Sequence, residues 1–212
     1  MEKSKIEIIL PKEIITLFNK NLFVGVIQFG SSLFNKKAID IDLAIIIKKG
    51  NLKSFINQLN KVNKIPSSYD ISLILEEELV NVNTFSFGCH GSYLVESFRK
   101  GKTLLGKNPF ILFPIVSIEK IKNDIYERMK EYIYILRKSY FNDLALKKFN
   151  SRYNKFLKLS LFLLSKKYDY PEIMFISDNI IISNLSNLGY NLKSDKQFNV
   201  EILWKEIIKR YL

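Results

Sequence analysis

The segment from Val26 to Ile47 constrains the fold of this chain more than any other part of the sequence. It contains an apolar run, a Gly30-Ser31 turn, a short polar connection and a second apolar run that begins with Asp40 and Asp42. Side chains on a strand alternate between its two faces, so Asp40 and Asp42 should share a face. Two carboxylates on one face make a poor core but a good site for a hard cation, which takes oxygen ligands. The segment therefore predicts a strand, a turn and a metal-bearing strand.

The turn itself predicts a contact with phosphate groups. Glycine permits close backbone approach and left-handed conformations, and serine adds a hydroxyl beside exposed backbone amides, an arrangement that binds anions. We expect Gly30, Ser31 and the adjacent Ser32 to contact the phosphate groups of a bound ligand.

A third carboxylate follows on the next strand-like run, Ser68 to Leu75, which carries Asp70 near its start. The sequence leaves two interpretations open. Asp70 is either a turn residue that bonds to nearby backbone or, as the family resemblance described next implies, a third ligand of the same cation.

The order of these motifs resembles the signature of the nucleotidyltransferase superfamily, which includes DNA polymerase beta and the CCA-adding enzymes. The matching residues are Phe29-Gly30-Ser31, then Asp40-Ile41-Asp42-Leu43, then Asp70. The resemblance covers roughly residues 22 to 110. It implies an α+β fold in which a small mixed β-sheet flanked by helices is followed by a C-terminal helical bundle. We expect a catalytic domain over residues 1–113 and a helical substrate-binding domain over residues 114–212.

The resemblance also implies the chemistry. Asp40, Asp42 and Asp70 would be the catalytic residues and the ligands of Mg²⁺ or Mn²⁺, and Asp70 would assist the attacking hydroxyl. The substrate would be a nucleoside triphosphate such as ATP, from which a nucleoside monophosphate moves to a hydroxyl while pyrophosphate is released.

The charge of the chain favours polyanionic partners, since the formal net charge is +12 over 212 residues. Arg99 and Lys102 belong to a basic stretch without acids and are predicted to grip a triphosphate; the alternative is a solvated helix end. Lys148, Arg152 and Lys155 are predicted to share a helical face that follows a nucleic-acid backbone, with a solvated face as the alternative.

Several classes are excluded or disfavoured by composition. Cys89 is the only cysteine and His90 the only histidine, so the chain has no intrachain disulfide and no Cys/His metal cluster. The first residues lack the apolar core of a signal peptide, and no apolar run reaches the length of a membrane span. We therefore expect a cytoplasmic protein without a membrane partner.

Outside the motif, apolar periodicity predicts the remaining elements. Strands are expected at 23–29, 39–47 and 69–75, and a short strand or a turn at 103–105. Helices are expected at 11–19, 52–62, 87–99, 117–139, 142–167 and 200–211, with a further short helix after Pro171.

Three functional hypotheses follow. The first is a metal-dependent nucleotidyltransferase whose acceptor is RNA, with tRNA as the natural example, or else a protein or small molecule. The second is a component of a toxin–antitoxin system that modifies or binds a partner protein. The third is a non-catalytic nucleic-acid-binding module with the same fold.

Overall fold

A computed structural model of the chain describes residues 10–33, 40–61, 66–80, 91–138, 140 and 149–211. These residues divide into two compact units. The first unit contains the described residues up to position 80 together with residues 94–115. The second contains residues 91–93 and the described residues from 116 onward.

The first unit is built on a mixed four-stranded sheet. The strands are β1 (Phe23–Phe29), β2 (Ile41–Ile47), β3 (Tyr69–Leu75) and β4 (Lys102–Gly106). Their order is β3-β2-β1-β4; β1 is antiparallel to both β2 and β4, whereas β2 and β3 are parallel.

Helices α1 (Lys12–Asn19) and α2 (Leu52–Leu59) supply the apolar cover for one face of this sheet. Phe55 is the large α2 side chain in this core and is 1% exposed. The strand residues of the same core alternate along β2, as expected for a strand with two distinct faces; they are Leu43, Ile45 and Ile47.

Helix α3 (Gly91–Arg99) contacts the opposite face of the sheet through residues of the first unit. The Phe98 ring packs edge-on against Phe29 of β1, with ring centroids 4.7 Å apart. Phe29 is in turn the cross-strand partner of Asp42, and such partners project from the same face. The face that carries Asp42 is therefore covered in part by aromatic packing; Ala44 and Ile46 on the same face of β2 are fully buried, and Asp42 near the strand start is half-buried.

The described part of the second unit is helical. Its helices are α4 (Ile118–Lys138), α5 (Phe149–Leu164), α6 (Asp178–Asn187) and α7 (Lys196–Tyr211). The buried residues of α4 recur every three or four positions, which places them on one face; they include Ile121, Ile125, Met129, Ile133 and Leu136. Buried positions of α5 and α7, such as Phe156 and Leu203, complete the core of this unit.

The predicted fold class is confirmed, because the described residues form a mixed sheet flanked by helices and followed by further helices. The bounds predicted for β1 and β3 agree with the structure. Strand β2 begins at Ile41, so Asp40 lies directly before the strand, and Ile39 lies outside the described residues.

Most helix ends differ from the prediction by a few residues. The helix predicted to end at position 62 ends at Leu59, and the one predicted to end at position 167 ends at Leu164. Two predicted helix starts, at positions 87 and 142, lie outside the described residues, as do Cys89, His90 and Lys148. After Pro171 a short 3₁₀ segment covers Glu172–Phe175.

Two features of the second unit were missed. Helix α6 was not predicted, because its three consecutive isoleucines obscure the helical period. Helix α7 begins four residues before the predicted start, at Lys196. The Asp195 side chain accepts hydrogen bonds from the backbone amides of Gln197 and Phe198, at 2.9 and 3.1 Å. Asp195 is thus a capping residue that the apolar pattern alone did not reveal.

None of the helices in the described ranges has the length and apolar character that a membrane span requires.

Neighbouring positions of α2 provide a direct test of the first unit's core. Phe55 is 1% exposed and Ile56 is 44% exposed. We predict that Phe55→Ala lowers the free energy of unfolding by about 3–5 kcal/mol, because it removes buried surface and leaves a cavity. Ile56→Ala should change it by about 0.5 kcal/mol at most. Urea denaturation followed by circular dichroism measures both, and equal losses would contradict the assignment of this core.

Candidate metal and nucleotide site

Three aspartates converge at one edge of the first unit's sheet. Asp40, Asp42 and Asp70 each offer a carboxylate oxygen, and the three oxygens lie within 4.8 Å of one another. The strand register explains this convergence, because Asp42 of β2 lies opposite Asp70 of the parallel strand β3. Asp42 is half-buried, whereas Asp40 and Asp70 are exposed. The cluster is therefore open to solvent on one side and anchored in the sheet on the other.

The chemistry of this donor set suits a hard divalent cation. Mg²⁺ binds carboxylate oxygens at about 2.0–2.1 Å in octahedral geometry, so ligands on opposite sides of one ion lie about 4 Å apart. The observed oxygen spacing, within 4.8 Å, is close enough for small side-chain rotations to reach that geometry. Carboxylate ligands suit Mg²⁺ and Mn²⁺ alike. Asp40, Asp42 and Asp70 could thus hold the predicted ion.

Because Gly30 has no side chain, it leaves room for the Asp42 carboxylate. Its φ of 73° is in the left-handed region, and a Cβ atom at this position would lie 2.0 Å from Asp42 Oδ2. Glycine is required here for two reasons. A residue with a side chain would be strained in this left-handed backbone conformation, and its Cβ atom would collide with the Asp42 carboxylate. The Gly30 backbone is therefore in direct contact with the acidic cluster.

The two serines of the turn differ in their surroundings. Ser31 is half-buried at the start of a 3₁₀ turn, Ser31–Leu33. Ser32 is 4% exposed; its hydroxyl accepts a hydrogen bond from Gln28 Nε2 at 3.0 Å and donates one to the Phe29 carbonyl oxygen at 3.4 Å. Ser32 thus fastens the turn to β1, and its predicted contact with a nucleotide stays a prediction.

Gln28 is a supporting residue that the motif did not single out. It is 1% exposed, so its amide needs a hydrogen-bond partner, and Ser32 provides one. The signal was present in the sequence, since Gln28 is the one polar side chain in the run Phe23–Phe29.

Of the two cations predicted to grip a triphosphate, Arg99 is already engaged. Its Nε and Nη2 atoms donate to the two carboxylate oxygens of Glu96, at 2.9 and 2.6 Å. These hydrogen bonds raise the pKa of Arg99. Glu96 is 4% exposed and was not considered in the sequence analysis, although its spacing of three residues from Arg99 is typical of helical ion pairs.

Lys102 begins β4 and lies opposite Gln28 of β1. It is therefore two strands away from Asp42, which lies on β2. The triphosphate roles of Arg99 and Lys102 stay predictions.

Two of the three residues predicted to contact a nucleic-acid backbone lie in the described ranges. Lys148 lies outside the described residues, while Arg152 and Lys155 lie on α5 and are half-buried and exposed, respectively. The Lys155 ammonium is 5.7 Å from the centroid of the Tyr132 ring. Binding of nucleic acid along this face stays a prediction.

Comparison with known proteins gives a result at the level of structure. No protein-family model matches the chain, and no curated protein is significantly similar to it in sequence. Among solved structures, it is similar to the crystal structure of a spectinomycin adenyltransferase from Enterococcus faecialis with ATP and spectinomycin. The TM-score is 0.57 at 14% sequence identity, and the match covers 93% of this chain and 97% of that chain.

The substitution Gly30→Ala tests the contact between the turn and the acidic cluster. We predict at least about tenfold weaker binding of Mn²⁺, equivalent to about 1.4 kcal/mol, because the new Cβ displaces the Asp42 carboxylate. Gly50 is the matched control, since its φ is also 73° but its Cβ would have no atom within 4 Å. Gly50→Ala carries the same backbone strain, about 1–2 kcal/mol, and should leave Mn²⁺ affinity unchanged. Calorimetric titration distinguishes the two, and similar losses in both variants would show that backbone strain alone is responsible.

The similarity in structure confirms at the level of the fold the resemblance found in the sequence: this chain has a nucleotidyltransferase fold followed by C-terminal helices.

Proposed function

We propose that this protein is a metal-dependent nucleotidyltransferase that moves a nucleoside monophosphate from a nucleoside triphosphate to a hydroxyl group. The observation that carries the proposal is the convergence of Asp40, Asp42 and Asp70 within 4.8 Å, directly beside the Gly30 turn. The fold shared with an adenyltransferase supports it. Phosphoryl-type transfer depends on positioning and charge neutralisation more than on covalent help from the protein. A cation held by the acidic cluster would supply the charge neutralisation, and the backbone amides of the turn would help to position the phosphates.

The roles of the residues follow from their positions. Asp40 and Asp42 would hold Mg²⁺ or Mn²⁺, which when bound neutralises phosphate charge. Asp70 would accept the proton of an attacking hydroxyl; its exposure within the same cluster supports this role. The amides around Gly30 and Ser31 would orient the phosphates.

The proposed transfer needs only the nucleoside triphosphate and the hydroxyl acceptor. A bond forms between the acceptor oxygen and the α-phosphorus, and the bond from that phosphorus to the bridging oxygen breaks. Pyrophosphate leaves with the bonding electrons, and the hydroxyl proton passes to Asp70.

The choice of acceptor rests on two observations that point in different directions. The structural neighbour was crystallised with ATP and spectinomycin, a small molecule, which favours ATP as donor and a hydroxylated small molecule as acceptor. The net charge of +12 favours RNA, including tRNA. We infer that a small molecule is the acceptor, with RNA and protein as the alternatives that an assay must include.

We predict that the double variant Asp40→Asn/Asp42→Asn loses transfer activity by at least about a thousandfold, because it removes two negative ligands from the cation site. The assay incubates the protein with each α-labelled nucleoside triphosphate, with Mg²⁺ or Mn²⁺, and with separate fractions of small metabolites, RNA and protein. Label that moves into one fraction identifies the acceptor class.

Asp70→Asn provides a sharper test of its separate role. This variant should still bind Mn²⁺ through Asp40 and Asp42 but should show a lower kcat, by about a hundredfold or more. The exposed Glu127→Gln, on a helix of the second unit, removes one carboxylate elsewhere and should be neutral. Undiminished transfer by the Asp40→Asn/Asp42→Asn protein would refute the proposal. Salt-dependent RNA binding without transfer to any fraction would instead favour a binding module.

A further inference from the structure

Arg128 lies on α4 of the second unit and is half-buried. Among the described residues, no carboxylate forms an ion pair with it. Its Nη1 donates a hydrogen bond to the Tyr93 hydroxyl. Its guanidinium carbon lies 5.4 Å from the centroid of the Tyr93 ring and 5.7 Å from that of Tyr132. Burial lowers the pKa of Arg128, but the surrounding tyrosines raise it by more, so the group stays charged. Burying such a charge without a counter-ion is unfavourable.

Three of the other four arginines in the described part of the chain are paired with a carboxylate or bonded to the carbonyls at a helix end. Arg99 forms a bidentate pair with Glu96, and Arg137 forms one with Glu201 at 2.6 and 2.8 Å. Arg210 donates to the backbone carbonyls at the end of α5. Arg128 has neither kind of partner.

The carboxylate one helical turn before Arg128 is already engaged in other hydrogen bonds. Asp124, one turn before Arg128, accepts hydrogen bonds from the Ser92 backbone amide, at 3.1 Å, and from the Ser92 hydroxyl. These hydrogen bonds hold the start of α3 against α4. Among the described residues, the Arg128 guanidinium therefore contacts tyrosine side chains and no carboxylate.

A second cation reaches the same aromatic ring. Lys155 on α5 lies 5.7 Å from the centroid of Tyr132, the same distance as Arg128. Contacts between cations and aromatic rings stabilise each charge only weakly compared with a carboxylate partner, and two like charges near one ring repel each other. The cluster Arg128, Tyr132 and Lys155 therefore concentrates positive charge where an anion would be stabilised.

We propose that Arg128, Lys155 and the hydroxyls of Tyr93 and Tyr132 form a binding site for a phosphate oxyanion within the helical unit. A guanidinium has five N–H donors, and the bond to Tyr93 uses one, so the remainder can form the paired hydrogen bonds that phosphate accepts. Lys155 adds a point charge and the phenols add O–H donors. The phosphate can belong to free phosphate or pyrophosphate, or to a nucleotide. The site stands on its own residues and does not depend on catalysis at the aspartate cluster.

Binding of pyrophosphate, inorganic phosphate and ATP, each measured by calorimetry in the presence of EDTA, tests the site. Chelation removes divalent cations, so the aspartate cluster cannot bind phosphate through a metal. We expect Arg128→Met to weaken binding at least about tenfold. Arg137→Met is the matched control, because it removes the same charge from the same helix but from an arginine already paired with Glu201; its affinity should stay within about twofold.

The three ligands distinguish the source of the phosphate. Loss of phosphate and pyrophosphate binding in Arg128→Met would support a site for free phosphates, whereas loss of ATP binding alone would support a site for nucleotide. Equal affinity of the unchanged protein and Arg128→Met for all three ligands would overturn the proposal. Absence of binding to the unchanged protein would do so too.

Two further variants keep the test decisive if Arg128→Met fails to fold. Lys155→Met changes an exposed residue and should weaken binding about threefold to tenfold; no change in this folded variant would overturn the proposal. Asp40→Asn/Asp42→Asn should bind phosphate in EDTA as the unchanged protein does. Failure of the proposed transferase activity and failure of this anion site are thereby separate results.

Discussion

The candidate site depends on the parallel register between β2 and β3. That register sets Asp42 opposite Asp70, and Asp40, directly before β2, completes the acidic cluster. A shift by one residue would turn one of the two carboxylates to the opposite face of the sheet, where α1 and α2 pack with Leu43 and Ile45. The apolar core therefore holds the carboxylates in place, because the sheet cannot slip without burying a charge.

Gly30 connects the same constraint to the turn. Its left-handed backbone lies where any side chain would meet the Asp42 carboxylate, and the Gln28–Ser32 hydrogen bond beneath it fastens the turn to β1. The polar groups of this region thus have two different tasks. Buried amide and hydroxyl groups hold the backbone, while the three carboxylates form the candidate cation site.

How far the sequence predicted this structure depends on whether a feature is local. Strands β1 and β3 were predicted with their observed bounds, because each is a seven-residue run rich in aromatic and β-branched residues, and such runs bounded by turn residues indicate strands. The three aspartates were predicted from their order along two strands. In contrast, the pairing of Arg99 with Glu96 depends on burial, which the sequence does not display. The cluster of Arg128 and Lys155 joins two helices and could be seen only once those helices had been placed.

The central claim is that Asp40, Asp42 and Asp70 converge to hold a divalent cation. The most direct measurement is anomalous diffraction from crystals of the protein soaked in Mn²⁺ with a non-hydrolysable nucleoside triphosphate. We predict an anomalous peak about 2.2 Å from carboxylate oxygens of Asp40 and Asp42. The Asp70 carboxylate should lie beside this peak, and the phosphates should lie on its Gly30 side. Crystals in which nucleotide is bound but no peak lies among the three aspartates would contradict the claim.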